Sequence, residues 1–98
     1  MVTKKHLRVY PTDEAAWVAM NEFATETGCA IGHGVMGMSV LVNNERFLFR
    51  SVVYEEDAWP LAGLEFATIK YAAGMVLPVQ TVLWLQSLIR TPRKENNV

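Results

Sequence analysis

The chain has 98 residues, of which 51% are hydrophobic and 19% are charged, and its formal net charge at pH 7 is −1. This composition is typical of a globular protein, so we expect one domain over residues 1–98 with flexible ends at 1–4 and 92–98. The near-zero net charge removes the simplest argument for binding nucleic acid or an anionic membrane, because both favour a clear excess of Lys and Arg.

The cysteine content and the N-terminal sequence indicate a cytoplasmic protein. A single cysteine, Cys29, excludes an internal disulfide, and the first residues do not follow the pattern of a secretory signal peptide. The longest apolar stretch, residues 71–89, is interrupted by Pro78 and by several polar residues. We therefore expect no membrane span, since each polar group there would need an internal partner.

Alternating polar and apolar residues predict three strands, over residues 6–10, 35–42 and 45–54. Asn43 and Asn44 separate the last two strands, and asparagine tolerates the positive φ angles of a two-residue hairpin turn. This turn fixes the register, because it places Val42 opposite Glu45. Further along the hairpin the same register places the apolar side chains of both strands on one face, where we expect the core: Val40 opposite Phe47, Met38 opposite Phe49, and Met36 opposite Ser51.

Two helices are predicted between these strands and after them. Thr12 provides a capping oxygen for a helix over 13–27, and the glycine-containing segment 29–34 is interpreted as a loop. A second helix is predicted over 58–73, following three acidic residues that suit a helix N-terminus. The second helix is then expected to end at Gly74.

The last segment is ambiguous, and it decides the topology. Period-two spacing of apolar residues from Met75 to Leu85 favours a strand, whereas Pro78 and the Leu-rich residues after it favour a helix, which we prefer. A helix gives a βαββα fold followed by a third helix, and a strand gives a ferredoxin-like βαββαβ fold. Either way we expect an α+β two-layer sandwich, with helices packed on one face of a small antiparallel sheet.

No constellation of residues predicts catalysis, a metal or a cofactor. Gly32, Gly34 and Gly37 match GxGxxG, but they follow a predicted helix and enter a strand, so no helix N-terminus is placed to receive a phosphate. Cys29 and His33 lie in the same segment without a third orienting group, and no cluster has the ligands of a zinc site. We therefore expect a protein that is not an enzyme and binds neither a metal nor a cofactor.

One polar face favours single-stranded nucleic acid as an alternative ligand. If the first and third strands are neighbours, their outward side chains combine cations with planar groups, as stacking platforms do. These residues are His6, Arg8, Tyr10, Arg46, Arg50 and Tyr54.

The leading hypothesis is a protein-interaction module that associates with itself. The predicted second helix and the last segment are apolar on more sides than a two-layer domain can cover, so surplus apolar surface is left for a partner. The candidate interface residues are Trp59, Trp84, Leu85 and Leu88. Such a protein suits a role as a small accessory regulator or inhibitor of a larger protein.

Overall fold

The computed structural model describes residues 4–34 and 37–89. Within these ranges the elements in chain order are β1 (Lys4–Tyr10), α1 (Asp13–Thr27), β2 (Ile31–Gly34), β3 (Gly37–Val42), β4 (Glu45–Ser51), the 3-10 helix (Glu55–Leu61), β5 (Thr68–Tyr71) and α2 (Val79–Gln86). Of the ends predicted to be flexible, Lys4 is the first residue of β1, and the remainder lies outside the described residues.

The strands form one mixed sheet in the order β2-β3-β4-β1-β5. β1 is parallel to both of its neighbours, while β2, β3 and β4 form an antiparallel meander. The expected α+β class is confirmed, and α1 packs against the sheet as in a two-layer sandwich. Two details of the expectation are wrong: the sheet is mixed and not antiparallel, and α2 packs on the face opposite α1, so the helices do not share one face. The ferredoxin-like alternative is wrong, because the last segment is a helix and each edge of the sheet is a strand that the sequence pattern did not predict.

Local signals at both ends of α1 explain its boundaries, which match the prediction. The Thr12 hydroxyl accepts a hydrogen bond from the backbone N–H of Ala15 at 3.0 Å, which satisfies one of the unpaired donors of the first turn. Gly28 ends the helix at φ 71°, in the left-handed region that favours glycine. The helix buries Ala16 and Met20 against the sheet.

The predicted hairpin is also confirmed. Asn43 and Asn44 have φ angles of 51° and 67°, so both turn residues adopt the left-handed conformation that this turn type needs. Val42 pairs with Glu45, and Val40 pairs with Phe47, as the turn length predicts. The predicted partner of Ser51, Met36, lies outside the described residues.

Apolar side chains are buried on both faces of the sheet. The cluster under α1 contains Ala16, Met20, Val40 and Phe49. The cluster on the opposite face, under the 3-10 helix and α2, contains Leu7, Val9, Leu48, Val52, Ala58, Leu61, Phe66 and Leu85. The side of the hairpin that carries Leu48 and Val52 therefore belongs to a second core, because β1 and β4 lie inside the sheet and are covered on both sides.

Two predicted elements are wrong. The predicted loop over 29–34 contains β2, a short edge strand that pairs with β3. The predicted helix over 58–73 is replaced by a 3-10 helix and by β5, which pairs with β1. Gly63, at φ 88°, lies in the turn between them and interrupts any continuous helix.

Candidate interaction surfaces

The outer side of α2 carries the most exposed aliphatic side chains in the described part of the chain. Val79 and Leu83 are 72% and 60% exposed, and Val76, just before the helix, is 89% exposed. The opposite side of the helix is closed, because Thr81 and Leu85 are 1% and 0% exposed. We call the surface formed by Val76, Val79 and Leu83 the α2 face.

The helical period explains this division of α2. Residues three or four positions apart lie on one side of a helix, so Thr81 and Leu85 share the inner side, and Val79 and Leu83 share the outer one. The Thr81 hydroxyl donates a hydrogen bond to the Val53 carbonyl at 3.1 Å, which ties the inner side to the segment after β4. The outer side of α2 therefore faces away from the sheet.

No charged residue occurs between Tyr71 and Ile89, a stretch that includes the whole of α2. The outward side of a surface helix usually carries charged or polar side chains, which keep it hydrated. The exposed polar side chains of α2 and its C-cap are uncharged, namely Gln80, Gln86 and Ser87. The α2 face is thus apolar without any charge that would oppose contact with a second apolar surface.

The predicted interface residues divide into exposed, half-buried and buried positions. Trp59, in the 3-10 helix, is 59% exposed, while Trp84 and Leu88 are half-buried and pack against the core. Leu85 is fully buried, so the structure places it in the core and not on a surface. The sequence reasoning missed the α2 face, although the spacing of Val79 and Leu83, out of phase with Leu85, carries the signal.

The basic and aromatic residues proposed for nucleic-acid binding do not share one face. The parallel register pairs His6 with Phe47 and Arg8 with Phe49, so these β1 residues lie on the α1 side. Lys5 pairs with Arg46, and Val9 pairs with Arg50, which places both arginines of β4 on the opposite side. Tyr54 is 60% exposed beyond the end of β4. The predicted platform is therefore wrong as a single surface.

His6 is held inside the protein by contacts on several sides. It is 8% exposed, and its Nδ1 lies 2.7 Å from the Thr68 hydroxyl oxygen. Its Nε2 lies 2.7 Å from Glu45 Oε1, and its ring stacks on Phe47 with 4.6 Å between centroids. Both ring nitrogens thus have partners within the chain, and the ring has no open face for stacking on a base.

The arginines of the predicted platform also make structural contacts. Arg8 lies 5.2 Å from the centre of the Phe47 ring, and Arg46 donates a hydrogen bond to the Ser39 hydroxyl at 2.8 Å. Arg50 donates to the carbonyls of Met38 and Phe49, each at 2.9 Å. Burial lowers the pKa of Arg8 and of Arg50 from its ordinary value. These contacts tie neighbouring strands together.

The glycine-containing segment does not form a phosphate-binding loop. Gly32, His33 and Gly34 belong to β2, and Gly34 pairs with Gly37 of β3. Cys29 precedes this strand, and its thiol donates to the Thr27 carbonyl at 3.6 Å. No hydrogen bond joins the Cys29 and His33 side chains in the described part of the chain.

A cleft of about 730 Å³ opens between α1 and the 3-10 helix, beside the end of β4. Most of its wall is apolar, and its polar side chains are Asp13, Arg50, Ser51 and Asp57. The sequence reasoning did not find this cleft, because its walls come from four separate segments of the chain.

The described ranges, 4–34 and 37–89, contain neither a metal-binding cluster nor a membrane-spanning helix. No group of three or more His, Cys, Asp or Glu side chains is placed to hold a metal ion. Neither α-helix has the length and apolar character needed to cross a membrane. Comparison of the chain with protein-family models, with curated proteins and with solved structures yields no match.

Proposed function

We propose that the chain is a protein-interaction module that forms a homodimer through the α2 face. The observation that carries the proposal is the presence of three strongly exposed aliphatic side chains in a stretch of 19 residues, from Tyr71 to Ile89, that contains no charge. Water in contact with such a surface is released when a second apolar surface covers it, which favours association.

A second copy of the same chain suits this surface for an electrostatic reason. In a twofold dimer each patch meets a copy of itself, so a charge near the axis would face an identical charge, and a patch without charges avoids this repulsion. The net charge of −1 also keeps the long-range repulsion between two copies small. Trp59, which is 59% exposed, lies on the same side of the sheet, in the 3-10 helix that packs beside α2.

The size of the α2 face sets the expected affinity. Across a twofold axis it brings together six aliphatic side chains, which gain on the order of 10 kcal/mol when fully covered. The loss of translational and rotational freedom on association costs a similar amount, roughly 4–15 kcal/mol. We therefore expect a weak dimer with a Kd in the micromolar range or above. The regulatory or inhibitory role toward a larger protein stays a prediction.

Sedimentation velocity of the unmodified chain tests the proposal. Over concentrations from about one to several hundred micromolar, which span the expected Kd, the sedimentation coefficient should rise from that of one copy to that of two. The rise should not depend strongly on salt, because the contact is apolar. A sedimentation coefficient that stays at the value of one copy throughout would contradict self-association.

A further inference from the structure

The cleft between α1 and the 3-10 helix has the size and composition of a small-molecule site. Its volume, about 730 Å³, falls within the range of roughly 300–1,000 Å³ that ligand pockets occupy. One wall is a single stripe of α1, from Asp13 to Met20. The floor and the opposite wall come from Phe49 at the end of β4 and from Leu61 of the 3-10 helix.

Trp17 provides a partly exposed aromatic wall of the cleft. It lies on the same stripe of α1 as Ala16 and Met20, which are 4% and 2% exposed, yet Trp17 itself is 48% exposed. Adjacent residues of a helix project about 100° apart, so Ala16 and Met20 pack in the core under α1 while Trp17 lies at the edge of the stripe. An indole that lines the cleft and is half-exposed can contact an apolar or cationic ligand.

The charged groups of the cleft favour a cation. The Asp13 carboxylate accepts a hydrogen bond from the Ser51 hydroxyl at 2.5 Å through Oδ1. Asp57 Oδ2 accepts from the backbone N–H groups of Tyr54 and Val53, each at 3.0 Å, and these bonds lower its pKa, so it stays ionised at neutral pH. Each carboxylate has about four acceptor positions, and these contacts occupy only part of them.

The cleft also contains one arginine, Arg50, whose single positive charge is smaller than the combined negative charge of Asp13 and Asp57. Arg50 directs Nη1 to the carbonyls of Met38 and Phe49, and its guanidinium lies against Gly37, where a Cβ atom would approach it to 3.0 Å. It is thus a brace between β3 and β4, whereas the two carboxylates keep acceptor capacity toward a ligand.

We infer that this cleft binds a small organic amine with an aromatic body. The aromatic body would lie against Trp17, Phe49 and Leu61, and the ammonium group would be bound by Asp13 and Asp57. The site shares no residue with the α2 face, so the inference is independent of the proposed dimer.

Titration with three probes that share an indole ring but differ in charge tests the inference. Tryptamine carries an ammonium group, 3-methylindole is neutral, and indole-3-acetate carries a carboxylate. Isothermal titration with the whole chain should show saturable binding of tryptamine, about tenfold weaker binding of 3-methylindole, and the weakest binding for indole-3-acetate. Stronger binding of indole-3-acetate, equal binding of all three probes, or no saturable binding of tryptamine would overturn the inference.

A pair of variants in the first turn of α1 locates the amine. Asp13 lines the cleft, whereas its neighbour Glu14 does not, and both are acidic residues of the same helical turn. Asp13→Asn should weaken tryptamine binding about tenfold, and Glu14→Gln should leave it unchanged, although each variant removes one carboxylate from the helix N-terminus. Equal effects of the two variants, or none for Asp13→Asn, would contradict a site at Asp13.

Discussion

Replacing Leu85 by alanine is expected to destabilise the protein by about 2–5 kcal/mol. The Leu85 side chain is 0% exposed and belongs to the core cluster between the sheet, the 3-10 helix and α2. Truncation to alanine removes buried methyl groups and leaves a cavity that the surrounding structure fills only in part. Urea denaturation followed by circular dichroism measures the change in the free energy of unfolding.

Leu83 is the matched control, because it is the same residue type in the same helix but is 60% exposed. Leu83→Ala should change the free energy of unfolding by about 0.5 kcal/mol or less, as is usual for an exposed position. The comparison is made at a protein concentration low enough to keep the chain monomeric, so that loss of association does not contribute. Equal destabilisation by both variants would contradict the inward orientation of Leu85 that defines the α2 face.

Replacing Val79 by aspartate is expected to weaken self-association at least 100-fold. The substitution places a carboxylate on the α2 face of each copy, so the twofold contact would bury two unpaired charges. The cost is several kcal/mol, and each 1.4 kcal/mol corresponds to a tenfold change in Kd. Sedimentation velocity at the concentration where the unmodified chain is dimeric should then show one copy. Folding should be retained, because Val79 is 72% exposed in the single chain.

Val18→Asp is the control for the effect of charge alone. Val18 is an exposed valine, 48% accessible, on α1, which covers the other face of the sheet. The substitution changes the net charge by the same amount as Val79→Asp. The Val18→Asp variant should therefore remain dimeric. Loss of the dimer in both variants would assign the effect to charge and not to the α2 face.

The elements that the sequence predicts correctly are those with strong local signals. Thr12 and Gly28 bound α1 through capping geometry that depends on neighbouring residues only. The Asn43–Asn44 pair fixes the hairpin register for the same reason, since its positive φ angles select one turn type. Neither the bounds of α1 nor the register of this hairpin depends on pairing with distant strands, so periodicity and turn chemistry are sufficient to predict both.

The elements that the sequence does not predict are those formed by pairing with distant strands. β2 contains two glycines and resembles a loop, but hydrogen bonding to β3 holds it as an edge strand. β5 lies within a stretch with apolar side chains on several sides, which resembles a helix until its pairing with β1 is known. The same limit applies to the candidate sites. The cleft combines four segments, and the α2 face depends on which side of the last helix meets the sheet.

Cross-linking at position 83 tests the central claim most directly, because it reports association and its location together. In a Cys29→Ser background, which removes the only native cysteine, Leu83→Cys places a single thiol on the α2 face, and Val18→Cys places one on α1. A short bis-maleimide should convert the Leu83→Cys chain to a covalent dimer and leave the Val18→Cys chain monomeric on a denaturing gel. Cross-linking that is absent, or equally efficient at the two positions, would contradict a homodimer formed through the α2 face.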